Sequence, residues 1–392
     1  MEGDVLSIRH LGPVPTGDFE FGDLTVLTGA QASGKSVVLQ ALKLAIDLKA
    51  VERRMIDHGL VWTNVPALLD LYFGDGMRAL LTDSTVIEWQ GQRVDLASVS
   101  GIIKRPRDEP ERVGYIPAQR IMSIRDGSTR PFGEFRPGDP YVLREFSRGV
   151  HELVQGELAT SDRLFPRAQW FHDGLREVVS THVLGGWTLD VDVESLQKRF
   201  VLRGVRADSD ATLGFSAWSA GQREFVPLLL GLYRLMPAGA IGRRDQFDWC
   251  VIEEPEMGLH PRAIAATMAF VLELLRRGYR IALSTHSTQV LDVVWGLRRL
   301  SELGGNSRDV TDLLGIGGRH EPYRRAAEAA LRATYRTYYL ERGTAPRDIS
   351  ALDPLSEDPA ESGWGGLTAF SDQVASVVAR VVRRHEALHI GS

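Results

Sequence analysis

The chain opens with apolar positions that alternate as they do along a strand. Val5, Leu6 and Ile8 come first, then Phe19 and Phe21, then the run Leu24-Thr25-Val26-Leu27-Thr28. This last run enters a glycine-rich turn, after which the spacing becomes helical from about Ser36 to Ile46. Residues 61–100 read as short strands, including Thr85 to Trp89 and Arg93 to Leu96 around Gly91-Gln92. From Tyr141 to Leu184 the pattern turns helical, with Val142, Leu143, Phe146, Val150, Leu153 and Val154 three and four residues apart. Trp187 to Val205 alternates again and predicts a strand pair.

A second α/β section starts near Ser219. A helix is expected over Phe225 to Leu235 and a strand over Trp249 to Ile252. Pro261 opens the next helix and Gly278 closes it, the placement each residue's backbone preference dictates. Tyr279 to Ser284 reads as a buried strand, followed by a helix carrying Val290, Val293, Val294 and Leu297. The tail alternates helices with a Gly/Pro/Asp-rich stretch from Thr344 to Gly366.

Composition narrows the function classes. With 43% hydrophobic and 25% charged residues in 392, the chain can fill an ordinary globular core and more than one lobe. A net charge of −5 gives no global attraction to nucleic acid, so DNA contact would need a local basic patch. The richest candidate is Lys104 to Arg136, with Arg105, Arg107, Arg112, Arg120, Arg125, Arg130 and Arg136. A solvated loop is the plainer reading of that stretch. The single cysteine, Cys250, fits a reducing cytosol and a core position. The opening residues lack the apolar core of a signal peptide, and no apolar run approaches the ~20 residues a membrane span needs. A cytoplasmic protein without a membrane anchor is expected.

Gly29-Ala30-Gln31-Ala32-Ser33-Gly34-Lys35-Ser36 matches G-x-x-x-x-G-K-[ST] with a strand before and a helix after. Glycines let the backbone curl so that successive N–H groups face a phosphate at the positive end of a helix. Lys35 would reach the outer phosphates of ATP, and the Ser36 hydroxyl would ligate Mg²⁺, with Val37 directly behind. The strand Trp249 to Ile252 ends in Glu253-Glu254-Pro255-Glu256. In an open parallel sheet such carboxylates lie beside the phosphate loop, where they can hold Mg²⁺ and polarise water.

Together with Ser219-Ala220-Gly221-Gln222-Arg223-Glu224 and Leu283-Ser284-Thr285-His286-Ser287, these motifs resemble the ABC-type ATPases. The nearer likeness is to their non-transport branch of SMC, RecF-type and OLD-like (overcoming-lysogenization-defect) AAA-family proteins. The runs Glu253 to Pro261 and Ser284 to Ser287 are especially similar to bacterial OLD-like ATPases. The likeness covers the first ~60 residues and residues ~215–300. It implies that Ser219, Gly221 and Gln222 form the signature that contacts the γ-phosphate held by a second subunit. It also implies that Glu253 stands at the Mg²⁺-side position, Glu254 at the catalytic glutamate, His286 at the switch histidine, and Gln119 at the Q-loop glutamine that ligates Mg²⁺ and water.

Three departures stand out. Glu253 replaces the usual aspartate and is one methylene longer. The signature reads Trp-Ser-Ala-Gly-Gln in place of Leu-Ser-Gly-Gly-Gln. Only about 100 residues separate Gln119 from the signature, which predicts a compact lobe in place of long coiled-coil arms.

The expected fold is α/β: a mixed P-loop sheet flanked by helices, with an antiparallel β subdomain and a short helical insertion. The domains expected are 1–135 and 211–300 for the two parts of the ATPase core, 136–210 for a helical/β lobe, and 301–392 for an α/β tail. The resemblance implies ATP and Mg²⁺ as cofactors, a homodimer or higher oligomer through composite sites, and a separate effector protein, in antiphage defence or toxin control. A RecF-like DNA-repair or chromosome-maintenance role is the alternative. His385-Glu386-Ala387-Leu388-His389 matches a zinc-protease pattern without a third ligand after it, and Asp190, Asp192 and Glu194 read as an exposed strand face. No nuclease centre is expected after His286.

Overall fold

The computed structural model describes residues 3–98, 109–192, 198–204, 211–239, 242–316 and 321–389. The strand before the glycine-rich turn, Leu24–Gly29, is buried along its whole length. It lies inside a six-stranded sheet ordered Arg347–Asp348, Tyr335–Leu340, Leu24–Gly29, Arg280–Ser284, Trp249–Glu253, Val113–Ile116. Every neighbouring pair is parallel except the short Arg347–Asp348 edge. Register matters more than order here. Glu253 pairs with Ser284, Ser284 with Leu27, and Leu340 with Gly29, so the carboxyl ends of four strands finish level on one edge. An open parallel sheet binds its ligand at that edge.

Both faces of the sheet are covered, which explains why its strands read as unbroken apolar runs. Val26, Cys250, Ile252, Ile281 and Leu283 join one apolar cluster with the helices Ala220–Leu235, Pro261–Arg276 and Thr288–Glu302. Leu27, Val251, Ala282 and Tyr338 join the other, with the helix Lys35–Asp57 and the N-terminal antiparallel sheet. That second sheet is ordered Val14–Phe21, Asp4–Leu11, Leu81–Trp89, Gln92–Arg93. A third, antiparallel sheet of Arg163–Phe165, Thr188–Asp192, Arg199–Arg203 and Thr212–Gly214 follows the helix Tyr141–Gln155 in sequence.

Three sequence expectations need correction. Residues 61–100 are not all strand: Val65–Phe73 is a helix, capped by the Asn64 side chain and carrying a proline in its first turn. The segment 141–184 is not helical throughout, because Arg163–Phe165 pairs with Thr188–Asp192. Within the tail, expected as α/β, the strand Tyr335–Leu340 lies in the central sheet beside the phosphate-loop strand. The helix predicted to end near Ile46 runs on to Asp57 through a kink at Asp47. The Asp47 carboxylate leaves the helix pattern to accept the Arg112 and Val113 N–H groups at 2.8 and 3.1 Å and the Lys43 ammonium at 2.9 Å.

Candidate functional site

The turn after Leu24–Gly29 needs its glycines. Gly29 has φ +133°, and a Cβ there would sit 2.0 Å from the Leu340 carbonyl oxygen of the neighbouring strand. Gly34 has φ +103° and abuts Pro13 and Val14. Lys35 then begins the helix, so the turn delivers unpaired backbone N–H groups at a helix start. Lys35 Nζ donates to the carbonyls of Gly29 and Ala30 at 3.0 and 2.8 Å and approaches Ser33 Oγ at 3.4 Å. Burial pulls its ammonium down to about 8, against the opposing charges of Glu254 and Glu256.

On the level edge, Glu253 is wholly buried. Its Oε1 accepts the Tyr115 hydroxyl and its Oε2 the Ala118 N–H, both at 2.9 Å, and it also hydrogen-bonds Ser36. Burial raises its carboxyl above the ordinary value despite those bonds. Glu254 follows with φ +43°, a left-handed conformation rare outside glycine, and points its carboxylate to 3.6 Å from His286 Nε2. Glu256 Oε1 accepts both Thr285 Oγ1 and the His286 N–H at 2.7 Å. Burial, and then the Lys35 charge, hold His286 below its usual range against the opposing charge of Glu256, and so favour the neutral ring.

Lys35, Ser36, Glu254 and His286 line one cleft of about 710 Å³, together with Gln31, Ala32, Ser33, Gly34 and Val37. Ser219, Gly221 and Gln222 do not line it. They sit at the start of Ala220–Leu235 in a capping box: Gln222 N donates to Ser219 Oγ at 3.2 Å, and Ser219 N to Gln222 Oε1 at 2.9 Å. Ser219 is exposed, and a Cβ on Gly221 would meet the Gly258 carbonyl at 2.8 Å. Gln119 is exposed too, and its loop reaches the acidic strand through its neighbours Ala118 and Arg120.

Some cleft residues carry no motif. Met77 and Ala79 come from the segment before Leu81–Trp89, Pro13 from the N-terminal hairpin, and Arg342 from the loop after Tyr335–Leu340. Only the assembled sheets bring them together. Glu256 was legible within the acidic run, but its contact with the His286 backbone depends on the register of two strands.

The Ser36 hydroxyl and the Glu253 carboxylate suit Mg²⁺, which takes one or two hard protein oxygens and completes its shell with phosphate and water. Tyr115 and Ala118 each donate to one Glu253 oxygen and fix the carboxylate beside the phosphate loop, leaving further lone pairs on both oxygens.

Three arginines of the arginine-rich stretch are engaged within the chain. Arg120 is buried, Arg112 pairs with Asp248, and Arg130 binds the Met122 and Glu134 carbonyls. Arg125 and Arg136 are exposed, while Lys104, Arg105 and Arg107 lie outside the described residues. Asp190 pairs with Arg163 and Arg203, and Glu194 lies outside the described residues. The segment 385–389 closes the helix Ala369–His389, and its side chains also lie outside the described set.

A phosphate loop, a capped signature helix, an acidic strand and a histidine-ended strand follow one another in the chain, with the histidine strand lodged between the first and third in the sheet. That is the fold of a P-loop NTPase of the ABC and SMC type. Residues 141–292 match the family described as "AAA domain, putative AbiEii toxin, Type IV TA system", a match over less than half of the chain. No curated protein matches the sequence. Among solved structures, the chain is similar to the SmcHead bound to the C-winged helix domain of ScpA, at 10% identity and TM-score 0.40, covering 91% of this chain and 98% of that one. It is also similar to the SMC head domain from Thermotoga maritima, at 11% identity and TM-score 0.32, covering 89% and 99%. Among the described residues, no helix is long and apolar enough to cross a membrane.

Proposed function

We propose that this chain binds ATP with Mg²⁺ on Gly29 to Val37 and hydrolyses it in sites shared between two copies. The observation that carries this reading is the division of the motifs. Lys35, Ser36, Glu254 and His286 share one cleft, while the signature presents its capped, exposed turn elsewhere. A second copy docked head-to-tail would bring Ser219 and Gly221 to the γ-phosphate, offering N–H donors at a helix start. Glu254 orients and deprotonates the attacking water, and the neutral His286 donates to the γ-phosphate as charge moves onto the leaving group. Bound Mg²⁺ would neutralise charge on the phosphate oxygens. Lys35 and the loop N–H groups hold the chain of phosphates in line.

The output is a closing and reopening of the dimer that controls a separate effector. Supporting that output is the matched family's description as part of a type IV toxin–antitoxin system, together with the defence-type motif set. Salt-dependent DNA binding strengthened by ATP would instead favour the RecF-like alternative.

The test is a nucleotide titration with Mg²⁺, followed by phosphate release, on the wild type and Lys35→Ala. The reading expects micromolar-range uptake and turnover in the wild type, and loss of both in the variant. Equal behaviour of the two proteins contradicts it.

A further inference from the structure

One buried charge borders the site without lining its cleft. Arg120 is 0% exposed, yet its nearest carboxylate oxygen, Oε2 of Glu224, is 3.9 Å away. Its hydrogen bonds go instead to backbone. Nη1 donates to the Glu253 carbonyl at 2.9 Å, Nη2 to the Glu254 carbonyl at 3.1 Å, and Nε to the Glu224 carbonyl at 3.2 Å. A planar guanidinium presents its donors in a fixed fork, so these three carbonyls are held in one rigid relation.

The carbonyls belong to two elements. Glu253 and Glu254 end the acidic strand, and Glu224 lies in the first turns of the helix that Ser219 caps. Glu254 itself is left-handed at φ +43°, a conformation that persists in a non-glycine residue only when its surroundings impose it. Its N–H is tied to the Ser284 carbonyl at 2.9 Å and its own carbonyl to Arg120, so both flanks of the unusual turn are fixed. Beside this link, Gly221 packs against the acidic loop closely enough that an added Cβ would lie 2.8 Å from the Gly258 carbonyl oxygen.

We propose that Arg120 is a positioning residue that couples the signature helix to the Glu254 carboxylate. When a second copy's nucleotide seats against Ser219 and Gly221, the Glu224 carbonyl moves with its helix. The guanidinium carries that displacement to the Glu253-Glu254 peptide and so sets the aim of the Glu254 side chain. Hydrolysis then waits for dimer closure, and ATP bound to a lone subunit is spared. The inference rests on the ATPase reading above and adds the link through which closure acts.

Arg120→Lys keeps the positive charge and most of the volume but loses the fork. In the full-length protein, three quantities are compared with the wild type: thermal midpoint, affinity for a fluorescent ATP analogue with Mg²⁺, and kcat with KM for phosphate release. The expected result is a midpoint within about 4 °C, affinity and KM within about threefold, and kcat lower by on the order of 100-fold, the scale of an ångström-sized misplacement. A kcat within about threefold of the wild type overturns the proposal, and so does a kcat loss matched by equal loss of nucleotide affinity. Should the variant fail to fold, hydrogen exchange on the wild type decides. Mg²⁺ and ATP should slow exchange in 219–225 and 252–257 over the same concentration range, and protection of one segment without the other overturns the coupling. A wild type that neither binds nor hydrolyses ATP refutes the ATPase reading itself; a wild type that hydrolyses ATP alongside an equally active Arg120→Lys refutes only this inference.

Discussion

Glu254 Oε1 lies 3.6 Å from His286 Nε2, although 32 residues of chain separate them. The pair meets because Glu253 and Ser284 are register partners on adjacent parallel strands, which puts Glu254, one residue beyond, and His286, two beyond, on the same edge. A carboxylate and a neutral imidazole held this way can divide proton acceptance and proton donation around one phosphate.

The His286 backbone is held by Glu256, and this gives a first prediction. Glu256→Ala removes the acceptor shared by Thr285 Oγ1 and the His286 N–H, so the ring loses its fixed approach to the cleft. Turnover should fall by about 10- to 100-fold with nucleotide affinity largely kept. Glu256→Gln, which keeps an oxygen acceptor, should retain most of the activity. Steady-state phosphate release on both variants checks this, and equal loss in the two would count against a geometric role.

Gly221 offers a second. Alanine is ordinarily the better residue in the first turn of a helix, yet here its Cβ would lie 2.8 Å from the Gly258 carbonyl. Gly221→Ala should therefore destabilise by about 1–2 kcal/mol, as overpacking does, and should slow turnover by parting the signature from the acidic loop. Denaturant melts beside turnover assays are the check. A variant as stable and active as the wild type would show that the contact is slack.

The third concerns acid stability. Glu145 is buried, with Arg148 at 2.6 Å, Arg234 at 3.1 Å and Arg54 at 3.5 Å, so it ties the phosphate-loop helix to the signature helix. Burial alone would raise its carboxyl, but the bonds and charge of Arg148, then the charges of Arg234 and Arg54, outweigh it and hold the group at about 2. A carboxyl depressed on folding contributes stability above its ordinary value of 4.5 and loses it as pH falls toward 2. The contribution is on the order of 3 kcal/mol. Melts of the wild type and Glu145→Gln should differ most at pH 6–7, draw together below the ordinary carboxyl value of 4.5, and converge as pH approaches about 2.

Much of this site was legible in the residues because its chemistry is local. The spacing of Gly29, Gly34, Lys35 and Ser36 reports a loop that folds from its own backbone, and the acids after Trp249 to Ile252 report a strand end. What stayed hidden depends on register or on distant segments. Tyr335–Leu340 enters the central sheet because its edge pairs with Leu24–Gly29, and nothing in its own tyrosine-rich pattern names that partner. Val65–Phe73 is a helix where the pattern predicts strand, because its apolar run is short enough to fit either period, although Asn64 and Pro66 are helix-start signals. Arg120 looked like one member of a basic stretch. Its burial, which turns it from a surface charge into a backbone clamp, follows only from the way the strand and helix close over it.

The shared-site account is tested most directly by the assembly state of Glu254→Gln. That substitution should leave ATP binding intact and stop hydrolysis, so sedimentation with ATP and Mg²⁺ should give a stable dimer holding two nucleotides, while the same protein without ATP stays smaller. A Glu254→Gln protein that binds ATP yet sediments identically with and without it would contradict the claim that a second copy completes the site.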